Sequence, residues 1–133
     1  MVAYSFQNQF ATFVANGLKR QTTRPIRKNR HAKIGDKLQL FNGLRTKECR
    51  KLLTKEPICT AVDAIEIHLS DCTHAKIERI VVNGRELLDD EVEAFAKADG
   101  FLGSATQAPS EEMAAFFYHF YGSGVFRGRV IHW

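Results

Sequence analysis

Three parts of the chain carry the signals of helices, the first in its apolar spacing and the other two in the residues at their ends. Residues 5–15 place three phenylalanines and a valine on one face, which predicts a short helix ended by an Asn-Gly pair. Residues 89–97 begin with two aspartates and end before Asp-Gly, as expected of a second helix. Residues 110–122 carry glutamates in their first turn and end at a glycine, which predicts a third helix.

Between these segments, apolar and polar residues alternate as they do in half-buried strands. An Asn-Gly pair within residues 76–87 is typical of a hairpin with a type I′ turn. Because strands outnumber helices and turns separate them, we expect an α+β fold, a small partly open β-barrel with helices around it. The other predicted strands cover residues 19–24, 37–41, 57–69 and 125–133.

Length and composition suit one domain, and we assign residues 1–133 to it. The 133 residues are 44% hydrophobic, enough for one core and too few for two ordinary domains. No apolar run approaches the ~20 residues of a membrane helix, and the N-terminus does not resemble a signal peptide. The three cysteines lack CxxC spacing, so we expect a reduced cytoplasmic protein without disulfides.

Positive charge is concentrated in the N-terminal half. Residues 19–55 hold 13 of the 19 lysines and arginines and only two acidic residues, whereas residues 56–133 hold 6 basic and 13 acidic ones. Clustered lysines and arginines release counterions when they neutralise phosphates, so the asymmetry favours a polyanionic partner. A solvated basic surface without a partner is the alternative.

The segment Lys19 to Arg24 contains the pattern closest to a catalytic site. A lysine beside other cations, here Arg20 and Arg24, has a lowered pKa and can act as a base. A hydroxyl next to such a base, here that of Thr22, can be an activated nucleophile. The alternative, which the residues alone favour, is a basic strand that binds phosphate and uses the threonine as a hydrogen-bonding neighbour.

This segment reads G-x-K-x-x-T-x-R over residues 17–24 and is followed by G-D-x-L at residues 35–38. The two motifs, and the order of elements over most of the chain, resemble those of ASCH domains. That family has a β-barrel related to the PUA fold of RNA-modifying enzymes. The resemblance implies an RNA-binding module, an amidohydrolase that removes the acyl group from N4-acetylcytidine, or a ribonuclease.

The amidohydrolase members use a lysine, a threonine and a glutamate. The resemblance implies that Thr22 is the nucleophile and Lys19 its base, whereas Asp99 stands where the glutamate is expected. Aspartate is one methylene shorter, so its reach to a substrate must be made up elsewhere. Asp-Gly turn chemistry at a helix end is an equal alternative for Asp99, and Glu93 and Glu112 are weaker candidates for the acidic role.

A second basic cluster, residues 45–51, follows Phe41. The phenylalanine can stack on a base, which contributes roughly 1–3 kcal/mol, and Lys47 can stabilise a developing phosphorane charge. Ser123 could approach the same cleft, and together these residues define the ribonuclease hypothesis. A solvated turn is the alternative. The predicted RNA-binding residues are Arg20, Arg24, Phe41, Arg45, Lys47, Arg50 and Lys51.

Three hypotheses follow: an amidohydrolase at Lys19, Thr22 and Asp99, a ribonuclease at the second cluster, and a non-catalytic RNA-binding module. The expected partner is RNA or a modified cytidine nucleoside, with no membrane and no cofactor. Ligand-type atoms in residues 68–74 raise a zinc alternative, but no second pair of ligands follows at a standard separation, so no metal is expected.

Overall fold

The computed structural model describes residues 1–71 and 74–133, which form a mixed α+β structure of eight strands and three helices. None of the helices in that part of the chain combines the length and apolarity needed to cross a membrane. The elements are β1 (Val2–Phe6), α1 (Asn8–Ala15), β2 (Gln21–Pro25), β3 (Leu38–Asn42), β4 (Arg50–Lys51), β5 (Ala61–Leu69), β6 (Ile77–Val82), β7 (Arg85–Glu86), α2 (Asp89–Ala98), α3 (Pro109–Tyr121) and β8 (Gly124–His132).

The strands pair as two sheets. The smaller has the order β1-β3-β4, with β1 parallel to β3 and β3 antiparallel to β4. The larger has the order β2-β8-β5-β6-β7 and is antiparallel throughout. The nine residues of β8 pair with all of β5 on one side and, through their C-terminal part, with β2 on the other. The place of β8 between β5 and β2 fixes the position of β2, which carries Thr22 and Arg24 of the G-x-K-x-x-T-x-R motif, with Lys19 just before the strand.

The segment predicted as one strand over residues 57–69 is divided between the sheets. Its first residues run beside the start of β3: the Leu38 amide donates to Pro57 O (2.9 Å), and the Cys59 amide donates to Asp36 O (2.8 Å). Its remainder is β5 of the larger sheet. The pairing therefore joins the two sheets at this corner, but the strands of the described residues do not close into a barrel by hydrogen bonding.

The first strand was missed by the sequence analysis. Residues 5 and 6, predicted to begin a helix, end β1, and α1 starts only at Asn8. Val2, Tyr4 and Phe6 are buried in alternation with less buried neighbours, which is the period of a strand. Because Phe6 also falls on the helical period of residues 5–15, the two patterns overlap in sequence and pairing with β3 decides between them.

Other predicted elements are confirmed. Both C-terminal helices lie within one residue of their predicted bounds, and β8 spans nearly all of the predicted closing strand. The turn between β6 and β7 has positive φ at Asn83 (50°) and Gly84 (82°), as a type I′ turn requires. The short strand β4 was not predicted, because its two residues lie in a charged segment without alternation.

The buried side chains of both sheets and all three helices pack into one apolar cluster. A phenylalanine group within it positions the site described below. The Phe101 ring, just after α2, lies 5.3 Å from the Phe10 ring of α1 and 5.4 Å from the Phe116 ring of α3, centroid to centroid. Edge and tilted contacts of this kind add to area burial, so the three helices meet around Phe101.

We expect Gly128→Ala to disrupt the pairing of β8 with β2. A Cβ at Gly128 would lie 2.1 Å from the Arg24 carbonyl oxygen, a backbone atom that cannot move without breaking the ladder. The expected loss in the free energy of unfolding is about 3 kcal/mol, the upper part of the usual range for overpacking. Urea unfolding measures it. Gly35→Ala is the control, with positive φ (+92°) but open space, and should cost about 1–2 kcal/mol. Equal losses would contradict the steric argument.

Candidate active site

Buried polar side chains concentrate at one place in the fold. Lysine and aspartate are almost never fully buried unless they are paired, so such a group indicates a functional site or a structural ion pair. Asn42 lies apart from this group and donates to Phe6 O (3.0 Å). The others, at the C-terminal end of α2, just before β2 and along it, are Lys19, Gln21, Thr22, Thr23 and Asp99.

The end of α2 holds Asp99 in a defined orientation. Asp99 is the C-cap, the Gly100 amide donates to Lys97 O (3.0 Å), and the Phe101 amide donates to Ala96 O (2.9 Å). This pair of bonds is a Schellman motif, in which the residue after the cap takes a left-handed conformation. The turn chemistry considered for Asp99 is therefore present, and it orients the residue within the site.

Gly100 also leaves space that the site needs. Its φ is +101°, and a Cβ there would lie 2.8 Å from the Phe10 ring and 3.0 Å from Lys19 Cδ. Any larger residue would therefore push directly on the buried lysine. The close approach of the end of α2 to Lys19 explains the glycine at position 100 better than the preference of the turn alone.

The Asp99 carboxylate is held by β2. Its Oδ1 accepts hydrogen bonds from Thr23 Oγ1 (3.1 Å) and Gln21 Nε2 (3.3 Å) and lies 3.8 Å from Lys19 Nζ. Gln21 and Thr23 are two apart on a strand and so face the same side. None of these bonds involves Oδ2.

Lys19 lies at the floor of the site and is only 3% exposed. Its Nζ donates to the Asp99 carbonyl oxygen, one of the acceptors that a helix C-terminus leaves unpaired. The ammonium also lies 5.0 Å from the centroid of the Phe10 ring and 5.8 Å from that of Phe6. Burial lowers the pKa of Lys19 to about 8, with Arg24 lowering it further and Asp99 opposing the shift. An amine with this pKa is partly neutral near pH 7.5 and can accept a proton.

Thr22 is buried beside Arg24. Arg24 Nε donates to Thr22 Oγ1 (3.0 Å), so the threonine oxygen accepts and its own proton remains free to be donated. Lys19 Nζ and Thr22 Oγ1, both within the described residues, make no hydrogen bond with each other. Arg24 Nη2 also donates to Ser5 O (2.6 Å), which ties β2 to β1 of the smaller sheet.

A cavity of about 120 Å³ is lined by all three predicted catalytic residues, Lys19, Thr22 and Asp99. Typical ligand pockets have ~300–1,000 Å³, so the enclosed part suits one small planar or acyl group. A larger and shallower hollow of about 610 Å³ beside α2 contains none of the three, and its size alone does not make it the site. The small cavity is lined by Ser5, Phe6, Gln7, Phe10, Lys19, Thr22, Thr23, Arg24, Asp99, Phe101, Phe116, Phe117, Phe120 and Tyr121.

The predicted RNA-binding residues are dispersed. Arg24 lines the cavity, whereas Arg20 Nε donates to Trp133 O (3.1 Å) and does not line it. Phe41 is partly buried on β3, opposite Lys51 in the register of β4. The carboxylate of Glu56 binds Lys51 (2.8 Å).

The loop from β3 to β4 carries Arg45 and Lys47 exposed to solvent. Arg50, at the start of β4, is also exposed, and its Nε lies 3.4 Å from Asn42 Oδ1. The loop reaches the cavity wall at one point, where the Leu44 amide donates to Ser5 Oγ (3.2 Å). Ser123 is exposed between α3 and β8, and the structure shows no contact between the described residues Ser123 and Lys47.

Several residues of the site were missed by the sequence analysis. Gln21 and Thr23 alternate with Lys19 along the chain, and this spacing could have indicated a shared face. The phenylalanines of α3 were expected in the core and cleft wall, and they are found there. Tyr121 also lines the cavity and is 43% exposed. Burial of the rest of its side chain raises the pKa of its hydroxyl.

In residues 1–71 and 74–133, no group of three or more histidine, cysteine or acidic side chains is placed to hold a metal ion. Of the residues considered for zinc, His68 lies 3.2 Å from Glu66. Cys72 lies outside the described residues. The zinc alternative therefore gains no support from the part of the chain that is described.

Three comparisons with known proteins were made for the whole chain. No family model, curated protein or solved structure matched it. The assignment of a function therefore rests on the site itself.

Burial of Lys19 should make stability depend on pH in a defined direction. Because its pKa is about 8 in the folded protein and near 10.5 when unfolded, the unfolded state binds more protons between these values. Stability from this residue therefore rises as pH increases from about 8 to about 10.5 and is lowest below 8. Relative to Lys19→Met, the wild type should gain up to about 3 kcal/mol in free energy of unfolding over this interval.

Urea unfolding from pH 7 to pH 10 tests this expectation. Lys97→Met, an exposed position on α2, is the matched control and should track the wild type. A constant difference between wild type and Lys19→Met across the interval would show that the lysine titrates normally.

Proposed function

We propose that the chain is an ASCH-type hydrolase that cleaves an amide on a cytidine-like base, as N4-acylcytidine amidohydrolases do. The observation that carries the proposal is that Lys19, Thr22 and Asp99, up to 80 residues apart, line one cavity. The cavity also offers aromatic walls for a planar base. A PUA-like barrel belongs to the same proposal, supported by the corner at which residues 57–59 join the two sheets.

In the proposed reaction, Thr22 Oγ attacks the acyl carbonyl carbon while the neutral Lys19 amine takes the hydroxyl proton, directly or through one water. The Arg24 Nε–H already donates to Thr22 Oγ1 and favours the developing negative charge on that oxygen. The C–N bond then breaks, Lys19 returns its proton to the leaving nitrogen, and the free amine of the base departs. Water, deprotonated by Lys19, hydrolyses the acyl-threonine and releases the carboxylic acid.

Asp99 is proposed to bind and orient the base. Its Oδ1 is occupied by Gln21 and Thr23, which leaves Oδ2 to accept an N–H from the ligand. The shorter aspartate is compatible with this role, because the Schellman turn and the two β2 donors place its carboxylate against the cavity. The Lys19 hydrogen bond to the Asp99 carbonyl must be exchanged for one to Thr22 or water during turnover.

A non-catalytic RNA-binding function is the second candidate. It is supported by the exposed Arg45 and Lys47, whose loop contacts the cavity wall at Ser5. The ribonuclease hypothesis has less support, because Phe41, Lys47 and Ser123 are not among the cavity-lining residues. Binding of single-stranded RNA without turnover of acylated cytidine would favour the second candidate.

Release of acetate from N4-acetylcytidine tests the proposed reaction. Lys19→Ala and Thr22→Ala should each lower kcat/KM by at least about 10²–10⁴, the usual contribution of a general base or more. Thr22→Ser, which keeps the hydroxyl, should retain measurable activity. Thr54→Ala, at an exposed turn, is the matched control and should behave as wild type.

The pH profile provides a second readout. Because the base must be neutral, kcat/KM should rise with an apparent pKa near 8, the value to which burial lowers that of Lys19. Absence of turnover on acylated cytidines would reject the reaction. Loss of activity in Thr23→Ala but not in Thr22→Ala would move the nucleophile to the threonine that contacts Asp99.

A further inference from the structure

We propose that Arg24 and Arg27 form a phosphate-binding subsite beside the cavity, so that the ligand carries a phosphate group and is a nucleotide or an RNA strand. The inference rests on the proposed function only in assuming that a cytidine-like base occupies the cavity. The anion site is carried by separate observations on β1, β2 and the loop after β2.

Arg24 is a partly buried cation on which Asp99 acts only at a distance, without a close ion pair. Its guanidinium Cζ lies 5.0 Å from the centroid of the Phe6 ring and 5.4 Å from that of Tyr4, and its hydrogen bonds go to Thr22 and Ser5. No carboxylate of the described residues makes an ion pair with it. Removing a charge from water without a counterion is costly, and a bound anion would offset this cost.

Arg27 brings a second cation to the same ring. Its Cζ lies 5.0 Å from the Tyr4 centroid, and its Nη2 reaches Arg30 O (3.3 Å). It also forms no ion pair with a carboxylate in the described part of the chain. Burial lowers the pKa of Arg24, Tyr121 and Asp99 oppose this shift, and repulsion from Arg27 adds to it. The forked donors of arginine match phosphate oxygens, which would relieve this repulsion.

The loop that carries Arg27 is held in place before any ligand binds. The Tyr4 hydroxyl accepts from the Ala32 amide (3.1 Å) and lies 3.0 Å from His31 Nδ1, while His31 Nε2 lies 2.9 Å from Pro25 O. The carbonyl can only accept, so Nε2 carries the proton and Nδ1 accepts from the tyrosine. Burial lowers the pKa of His31 and favours this neutral form, the hydrogen bond to Pro25 opposes the shift, and Arg27 and Arg129 add to it. A preorganised loop loses little entropy when it binds.

Arg24 links the subsite to the cavity, whereas Arg27 lies outside the residues that line it. Arg24 lines the cavity itself, and Tyr4 directly precedes Ser5 and Phe6, which also line it. Within the cavity, Asp99 provides one negative charge against the cations of Lys19 and Arg24. A ligand with its base inside and its phosphate at Arg24 and Arg27 would complement both parts of the site.

Titrations with cytidine, cytidine 5′-monophosphate and a single-stranded cytidine hexanucleotide RNA test the subsite. We expect Arg27→Ala to weaken binding of a phosphate-bearing ligand by about tenfold or more, the usual effect of losing a charge-assisted hydrogen bond. Cytidine affinity should stay unchanged. If Arg27→Ala binds the monophosphate more weakly, the ligand is a nucleotide. If it binds only the RNA more weakly, the subsite recognises a phosphodiester.

The matched control is Arg79→Ala, an exposed arginine on β6 with a long ion pair to Glu86 (3.8 Å). It lowers net charge equally and should leave all affinities near wild type. Equal effects of Arg27→Ala and Arg79→Ala on both phosphate ligands would overturn the subsite. So would a wild type that binds phosphate-bearing ligands no more tightly than cytidine.

Inorganic phosphate separates this inference from the proposed reaction. Thermal unfolding should show a higher Tm for the wild type in phosphate than in chloride at equal ionic strength, and a clearly smaller shift for Arg27→Ala, because phosphate also stabilises folded proteins by exclusion from their surface. That result would stand even if no acylated cytidine were hydrolysed. An equal shift in the two proteins, or none in either, would overturn the subsite whatever the enzyme assay shows.

Discussion

The contact between Lys19 and the C-terminal end of α2 is the interaction on which the rest of the site depends. It places an ammonium against the carbonyl of Asp99 and near its carboxylate, with almost no exposure to water. Removing one partner of such a pair leaves an uncompensated buried charge, which costs far more than the pair contributes. The neighbouring features, from Gly100 to the two donors on β2, are arranged so that both partners remain satisfied.

The apolar surroundings give this contact its chemistry. Phenylalanines of α1 and α3 pack around Phe101, and Phe6 and Phe10 border the Lys19 ammonium. The same burial that stabilises the hydrophobic core lowers the pKa of Lys19 towards neutrality. Core packing and the capacity for proton transfer are therefore consequences of one arrangement, and a change in the aromatic wall would affect both.

Arg24 connects the site to the architecture. It binds Thr22 on its own strand and Ser5 O on β1, so one side chain joins the two sheets at the cavity. Arg27 lies near the Tyr4 ring that Arg24 also approaches, so two cations lie next to β1 at this side of the fold. Of the many lysines and arginines in the N-terminal half, Lys19 and Arg24 line the cavity. The basic cluster of residues 45–51 is exposed and is not part of the cavity lining.

Much of the fold was accessible from periodicity. The helices at residues 89–98 and 109–121 and the hairpin at Asn83-Gly84 rest on local signals, which is why their prediction was accurate. The strand β1 and the division of residues 57–69 depend on pairing with residues near β3, distant in sequence, and local patterns carry no information about such partners.

The same distinction applies to the site. The sequence by itself determined which residues could act, since the order Lys19, Thr22, Arg24 is a property of one short segment. Only the tertiary structure decided that Asp99 reaches this segment, that Gln21 and Thr23 hold it, and that Arg24 and Arg27 both lie near the Tyr4 ring. Those contacts join residues far apart along the chain or set by loop conformation, and they form only when β2, α2 and β1 are packed together.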